Sequence, residues 1–521
     1  MSYKAGLSRS ARLELIRRTL PGLVHFDDKQ LIVPLDAMVK RLKIYLPEVQ
    51  TLSLRGLEIQ SDSPIDLAAA RFQMSPSNHP SSAPEVLLQA KPITTQQVPL
   101  PFWEVTLRKP QYVKSIAIKN DRGVPAARNL AICVDYEQQS GVVRTFDNID
   151  PALLLSRISH FLQASQRLVQ VTEDVGQQPA SLAQVALASA TELSDALTQC
   201  LAGDIEPDFC KLDLIRLRLI DELLSVNSAS PTESLRQSLA ITAPLLEYLL
   251  YRGIDKAMPA GTEGETRAVA AIYANTFLHK KSVTSQKLRE NQRFTQTPER
   301  VRIVDDYVSS TYENITGDLS ISPIMIRSHG LSGALLHQQA SKYVSSIREV
   351  ADIFSNLGYE LAICYGTFLG AYREKRFIPH DDDVDTAVLM KSRNVTDVVE
   401  EMKQIVSALR SLGITIDLTA NGFMKIRAPK QGKRMDVFPI VETSNEHVQM
   451  HMRGLRMCDV PKAAVLPFGE IEFYGQHFKC PANPEMFLRE RYGSTWNIPL
   501  REVGGRTLAL EGGLVAHPIG A

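Results

Sequence analysis

Between Gln30 and Asn148 apolar and polar positions alternate in short runs broken by Pro, Ser, Asn and Gly. Trp103-Glu104-Val105-Thr106-Leu107 and Val113-Lys114-Ser115-Ile116-Ala117-Ile118 carry the period of two expected of half-buried strands. With Thr51-Leu52-Ser53-Leu54-Arg55 they predict many short strands without intervening helices, a β-sandwich over 30–150 preceded by an extension over 1–29. Over 151–338 the period changes. Leu193, Leu197 and Leu201 recur every fourth position, Leu245, Leu246, Leu249 and Leu250 form a second stripe, and 212–226 is apolar enough to be a buried helix. Breaks near Gln177-Gln178-Pro179, Gly203, Ser230-Pro231 and Pro259-Ala260-Gly261 separate these helices. The polar stretch 282–300 reads as an exposed loop or a charged helix.

From 339 to 521 helix and strand alternate. Val344, Ile347, Val350, Ile353, Phe354 and Leu357 mark one helix face, which Gly358 ends. A short buried strand over Leu361-Ala362-Ile363-Cys364-Tyr365 leads into the turn Gly366-Thr367, and 384–390 and 435–441 read as two further strands. The expected fold class is therefore multidomain: an N-terminal β-sandwich, an α-helical middle region and a C-terminal α+β domain.

A chain of 521 residues exceeds what one core supports, in keeping with this division. Lys+Arg and Asp+Glu are 58 each, and a formal charge of zero argues against a dedicated nucleic-acid binder. The six cysteines are scattered without a CxxC or Cys/His cluster, as expected of reduced thiols and not of a zinc site. The basic N-terminus lacks the apolar stretch of a signal peptide, and no run reaches the roughly 18 apolar residues of a membrane span. The expected location is cytoplasmic, with peripheral association at the inner membrane left open.

The chemistry concentrates in Asp381-Asp382-Asp383-Val384-Asp385. Carboxylates so close repel one another, and the chain tolerates them in a solvated loop or around a divalent cation. This run leads straight into an apolar strand, which limits solvation. Along an extended chain Asp381, Asp383 and Asp385 project to one side and Asp382 to the other. Three hard oxygen ligands on one edge suit Mg²⁺ or Mn²⁺ bridging to phosphate, and Asp436, opening the strand Met435-Asp436-Val437-Phe438-Pro439-Ile440, completes the set if the two strands are neighbours. Gly366 stands where backbone must approach a phosphate, with Arg373 as a clamp. Lys425 and Arg427 are placed to steer an anionic donor. The plainer readings are a solvated acidic loop, a surface salt bridge at Arg373, and a solvated charged strand at Lys425 and Arg427.

The segment from Gly366-Thr367-Phe368-Leu369-Gly370-Ala371-Tyr372-Arg373 through Phe377-Ile378-Pro379-His380-Asp381-Asp382-Asp383-Val384-Asp385 resembles the signature of the LicD family, to which fukutin and fukutin-related protein are related. Asp436-Val437-Phe438-Pro439-Ile440 and Arg491-Tyr492-Gly493 with Trp496 and Pro499 resemble two later elements of that family, in the same order. The resemblance covers the last third of the chain, and His380 departs from the usual Trp. It implies a nucleotidyltransferase-like fold with Gly366-Thr367 in the phosphate-facing turn, and Asp383 and Asp385 as the metal pair with Asp436 as third carboxylate. It also implies transfer of phosphocholine or a phospho-alditol from a CDP-linked donor to a glycan hydroxyl. Asp381 is the candidate base for the hydroxyl proton. His380 is expected to pack against the turn, with a catalytic role as the alternative.

The stretch 101–120, continued by Ala127-Arg128-Asn129-Leu130, is similar to discoidin-like domains, whose jelly-roll loops often bind sugars. Phe102 and Arg108 depart from that pattern, and Trp103 is expected in the core rather than as a sugar platform. The functional expectation is a metal-dependent transferase of surface-polysaccharide (capsule) synthesis, acting on an oligosaccharide or polysaccharide acceptor and releasing CMP. The alternatives are a nucleotidyltransferase moving NMP from an NTP, a non-catalytic glycan-binding scaffold, and a DxD glycosyltransferase, against which the Gly-Thr turn and the Asp436 strand speak.

Overall fold

The computed structural model describes residues 7–23, 30–47, 52–67, 69–77, 84–89, 93–120, 132–250, 261–327, 330–379, 381–452, 456–498, 500–503 and 506–509. Contacts divide the chain into two compact units, 1–280 with 286–296, and 281–285 with 297–521.

In the first unit a short helix, α1 (Arg9–Thr19), precedes the strands β1 (Gln30–Tyr45), β2 (Ser53–Gln60), β3 (Arg71–Met74), β4 (Ile93–Thr94), β5 (Phe102–Asn120), β6 (Cys133–Gln138) and β7 (Val143–Asp147). They form one hydrogen-bonded sheet in the order β4-β2-β5-β1-β6-β7, with β3 also on β5. The two separate strands expected over 103–107 and 113–118 are a single strand of 19 residues. It survives the proline between them because the pairing skips it: the register with β1 jumps from Val39↔Gln111 to Arg41↔Thr106. Pro110 falls in that bulge, where its missing N–H leaves no ladder bond unmade. The discoidin-like continuation Ala127–Leu130 lies outside the described residues, as do Pro259 and Ala260.

Trp103 belongs to the core of this sheet. Its side chain is fully buried, its Nε1–H donates to the Pro84 carbonyl at 2.7 Å, and Phe72 lies against it with ring centroids 6.1 Å apart. Trp103→Ala is expected to destabilise this unit by about 3–5 kcal/mol, measured by urea unfolding followed by far-UV circular dichroism. An unchanged midpoint would return Trp103 to the role of a surface platform.

The helices α2 (Pro151–Glu173), α3 (Gln177–Ala202), α4 (Phe209–Ala229), α5 (Thr232–Leu249) and α6 (Glu263–Lys280) follow. Asp150 caps α2 by accepting from Ala152 N at 2.9 Å and Leu153 N at 3.3 Å, and Gly203 ends α3 in the left-handed region at φ 74°. Leu193, Leu197, Leu201, Leu245, Leu246, Leu249 and Leu250 are all buried, as their spacing predicts. The polar stretch 282–300 forms neither one loop nor one helix. It holds the two-residue strand β8 (Val283–Thr284), the short helix α7 (Ser285–Glu290), a 3₁₀ turn and the start of α8 (Pro298–Thr316).

After α8 the second unit runs through β9 (Ile324–Arg327), β10 (Gly330–Gly333), α9 (Leu335–Gln338), α10 (Ala340–Asn356), β11 (Leu361–Ile363), α11 (Tyr365–Leu369), β12 (Asp385–Leu389), α12 (Val395–Ser411), β13 (Ile416–Leu418), β14 (Met424–Arg427) and β15 (Arg434–Glu442). The chain continues with β16 (His447–His451), β17 (Met457–Pro461), α13 (Lys462–Val465), β18 (Gly469–Phe473), β19 (Gln476–Cys480) and α14 (Pro484–Tyr492). The central sheet has the order β11-β12-β15-β14-β13. β12 and β15 are parallel, and their neighbours on this path are antiparallel. Val344, Ile347, Val350 and Phe354 of α10 join Ala387, Val388, Val437 and Ile440 of the sheet in one core, and Gly358, at φ 76°, stops α10 as expected. Among the described residues no helix is long and apolar enough to cross a membrane.

Candidate active site

The acidic residues converge because two strands start side by side. β12 and β15 are parallel and in register Asp385↔Asp436, so the first residue of one strand stands beside a carboxylate of the next. Asp436 N donates to Val384 O at 2.8 Å, and Thr386 Oγ1 donates to Asp436 O at 2.8 Å, which fixes the alignment. The apolar residues that follow on both strands bury them in the sheet and leave the carboxylates at its rim.

The turn after β11 closes onto Asp385 from the other side. Gly366 N–H donates to Asp385 Oδ2 at 3.0 Å, and Asp385 N–H donates to Thr367 Oγ1 at 2.9 Å. Thr367 is buried, so its hydroxyl serves this lock. A Cβ on Gly366 would fall 2.6 Å from Asp381 Oδ2 and 3.3 Å from Asp385 Oδ2. The close approach that demands glycine here is to the carboxylates themselves. Tyr365 enters the turn at φ 42°, a conformation uncommon outside glycine. Phe438, edge-on at 4.9 Å between centroids, and Phe487 at 6.1 Å hold its ring.

Strand alternation does not extend to Asp382. Strand structure begins only at Asp385; residues 381–384 are irregular, with a bend at Asp383, and Asp381 N donates to Ile378 O at 3.0 Å. In consequence Asp382 is not turned away from its neighbours, and carboxylate oxygens of Asp381, Asp382 and Asp383 lie within 4.8 Å of one another. An ion with octahedral oxygen ligands at about 2.1 Å keeps those oxygens about 3.0–4.2 Å apart, so after a small side-chain adjustment these three carboxylates could hold one.

Two of the carboxyls are shifted upward. Burial, then the Asp383, Asp385 and Asp382 carboxylates, push the Asp381 carboxyl well above the usual range. Asp385 is raised in the same direction by burial and by Asp383 and Asp436, while the Gly366 N–H and the Arg491 charge pull the other way. Lys425, directly opposite Asp436 on β14, reaches its Oδ1 at 3.2 Å. Arg491 lies with its guanidinium 5.0 Å above the Tyr365 ring centroid and donates to Met452 O. The buried Arg327 donates from Nη1 to the Asp381 carbonyl. A hard divalent cation fits this donor set: the ligands are oxygens only, Asp381 and Asp385 are raised by burial and then by their neighbours, and among the described residues Lys425 and Arg491 bring positive charge near them.

Two of the remaining expected residues, Arg373 and Arg427, are engaged by backbone carbonyls. Arg373, expected on phosphate, donates instead to Trp496 O at 2.9 Å, Ile498 O at 3.4 Å and Glu374 Oε1 at 2.6 Å, and so ties down the segment 496–498. Arg427 donates to Gly432 O at 2.7 Å across the β14–β15 turn. His380 and Pro499 lie outside the described residues. Sequence reasoning missed Asp382, Arg327 and Arg491 as members of the site. Arg491 carried a signal, as the residue before Tyr492-Gly493; Arg327, at the end of an apolar strand, carried none.

A family model described as LicD/FKTN/FKRP, nucleotidyltransferase domain, matches residues 358–483, which include β11, β12, β15 and every carboxylate of the cluster. The match suggests a phosphotransferase-like or nucleotidyltransferase-related transferase. An uncharacterized protein of Caenorhabditis elegans is 31% identical over 141 residues, which are 26% of this chain and 36% of that protein. The matched region thus spans about a third of the relative's length. The crystal structure of the lincosamide antibiotic adenylyltransferase LnuA, lincomycin-bound, aligns at 12% identity over 30% of this chain and 88% of its own, with a TM-score of 0.22, a likeness too slight to argue from.

Proposed function

We propose that this chain is a metal-dependent transferase moving a phosphate-linked group, such as a phospho-alditol or phosphocholine, from a CDP-activated donor to a glycan hydroxyl. The observation that carries this reading is the in-register pair Asp385 and Asp436, with Gly366 closing on Asp381 and Asp385. The family match supports it.

Asp383, Asp385 and Asp436 would hold Mg²⁺ or Mn²⁺, with Asp381 and Asp382 within reach. The ion supplies Lewis-acid neutralisation of the diphosphate when bound. The chain's own residues do the positioning. Gly366 N–H and Thr367 orient Asp385, and Lys425 orients Asp436. Asp381, kept ionised once a cation neutralises the neighbouring carboxylates, would accept the proton of the attacking hydroxyl. A bond forms from that oxygen to the phosphorus carrying the transferred group, the bond from the same phosphorus to the bridging oxygen breaks, and CMP leaves. Positioning and charge stabilisation account for the rate in such a reaction.

The N-terminal sheet is assigned, in the same reading, to a discoidin-like module that engages the polysaccharide. The same reading has the protein work in the cytoplasm, with peripheral association at the inner membrane left open, in surface-polysaccharide (capsule) synthesis. Purified protein incubated with Mn²⁺ and a panel of CDP-linked donors is expected to release CMP, faster when an acceptor oligosaccharide is present. Pyrophosphate release from an NTP would identify a nucleotidyltransferase instead, and no turnover with either would leave a glycan-binding scaffold.

A further inference from the structure

The hairpin that carries Asp436 also carries a charge arrangement that no contact among the described residues explains. β14 and β15 pair antiparallel with Lys425 opposite Asp436 and Arg427 opposite Arg434. The Lys425–Asp436 contact at 3.2 Å shows which face these residues share. Residues two apart on a strand lie on the same face, so Arg427 and Arg434 stand on the face of the acidic cluster. The burial pattern agrees: Met424, Ile426 and Met435 are buried on the other face, and Lys425, Arg427 and Arg434 are exposed.

Like charges directly opposite one another across two strands are destabilising. Among the described residues neither arginine has a carboxylate partner. Arg427 uses Nη1 on the Gly432 carbonyl, and among the described residues the Arg434 guanidinium has no hydrogen-bond partner. The neighbouring cross-strand pair on the same face is complementary, so the repulsion is confined to this position. It is also close to the chemistry. Arg434 is one pleat before Asp436, about 7 Å along the strand, and β12 runs parallel, with Asp385 beside Asp436.

We infer that Arg434, with Arg427, binds the nucleoside-side phosphate of the diphosphate donor, the phosphate that departs with CMP. This rests on the reading above. Two guanidiniums facing one phosphate make charge-assisted, bidentate bonds to it. The anion relieves their mutual repulsion, and the positive charge stabilises the negative charge that collects on the leaving group. The carboxylates lie one pleat away, and a cation they would hold would serve the transferred phosphate. Arg434 acts as a binding residue on the leaving nucleotide and Arg427 as its partner across the hairpin.

The test is calorimetric titration of the full chain, in Mn²⁺, with CMP, inorganic pyrophosphate and cytidine. Arg434→Ala is expected to weaken CMP binding about tenfold to a hundredfold, Arg434→Lys to recover part of it, and cytidine to respond to neither change. Because Arg434 is exposed and opposed by a like charge, Arg434→Ala should leave the thermal midpoint unchanged or slightly raised, which a structural arginine would not. Equal CMP and pyrophosphate affinity in wild type and Arg434→Ala overturns the inference, as does a wild type that binds neither anion. If pyrophosphate binds and is lost in the variant while CMP never binds, the anion site stands and the choice of a cytidine donor is what fails.

Discussion

Asp385→Asn abolishes transfer, with turnover falling by about a thousandfold or more, as expected where a metal-binding carboxylate that supports several kcal/mol of charge stabilisation is removed. The substitution keeps the size of the side chain and an oxygen able to accept the Gly366 N–H, so the turn stays closed and only the charge is lost. Its effect on stability has the opposite sign. Burial and the Asp383 and Asp436 carboxylates raise the Asp385 carboxyl in the folded protein. Between its unfolded and folded pKa values the native state therefore binds more protons, and stability falls as pH rises through that window. Above the unfolded pKa the carboxyl is a burden on the cation-free fold, whether it is held charged or must keep a proton, and Asp385→Asn should melt at or above the wild-type temperature. Turnover assays beside thermal melts in chelator check both halves. Full activity in the variant would show that Asp385 holds nothing the reaction needs.

Gly366→Ala has the second large effect, for a steric reason. The new methyl group would fall 2.6 Å from Asp381 Oδ2 and 3.3 Å from Asp385 Oδ2, and the first of these separations cannot persist. The Asp381 side chain is the part able to move, because its backbone is held by the turn to Ile378 and by Arg327. A displacement of about 1 Å at a reacting group costs on the order of a hundredfold in rate. kcat/KM should fall by that factor or more while the circular dichroism spectrum is unchanged. Wild-type kcat/KM in Gly366→Ala would mean that Asp381 need not lie where the turn now holds it.

Much of this site was legible because the local signals were strong. Strands β12 and β15 were marked by apolar runs that begin at an acidic residue, and the end of α10 by Gly358. That Asp385 and Asp436 lie side by side was a conditional reading, since no short-range rule links residues about fifty positions apart, and it took the sheet to make them neighbours. Asp382 was misread for an instructive reason: alternation applies inside a strand, and the strand begins three residues later. The single long β5 was hidden by Pro110, which normally interrupts a strand but is harmless in a bulge. Arg373 looked available because sequence shows charge and not partners; the carbonyls of Trp496 and Ile498, more than a hundred residues on, claim it. Arg434 meets Arg427 only through the register of the hairpin.

The account turns on whether the carboxylates of Asp383, Asp385 and Asp436 take up a divalent cation. Mn²⁺ titration of the metal-free protein, followed by calorimetry in two buffers of different ionisation enthalpy, tests this directly. Wild type should bind Mn²⁺ with release of protons from the raised carboxyls and gain thermal stability as the cation is added, while Asp385→Asn and Asp436→Asn should each lose at least about tenfold in affinity. Equal Mn²⁺ affinity in all three proteins, or no Mn²⁺ taken up by the wild type, would contradict it.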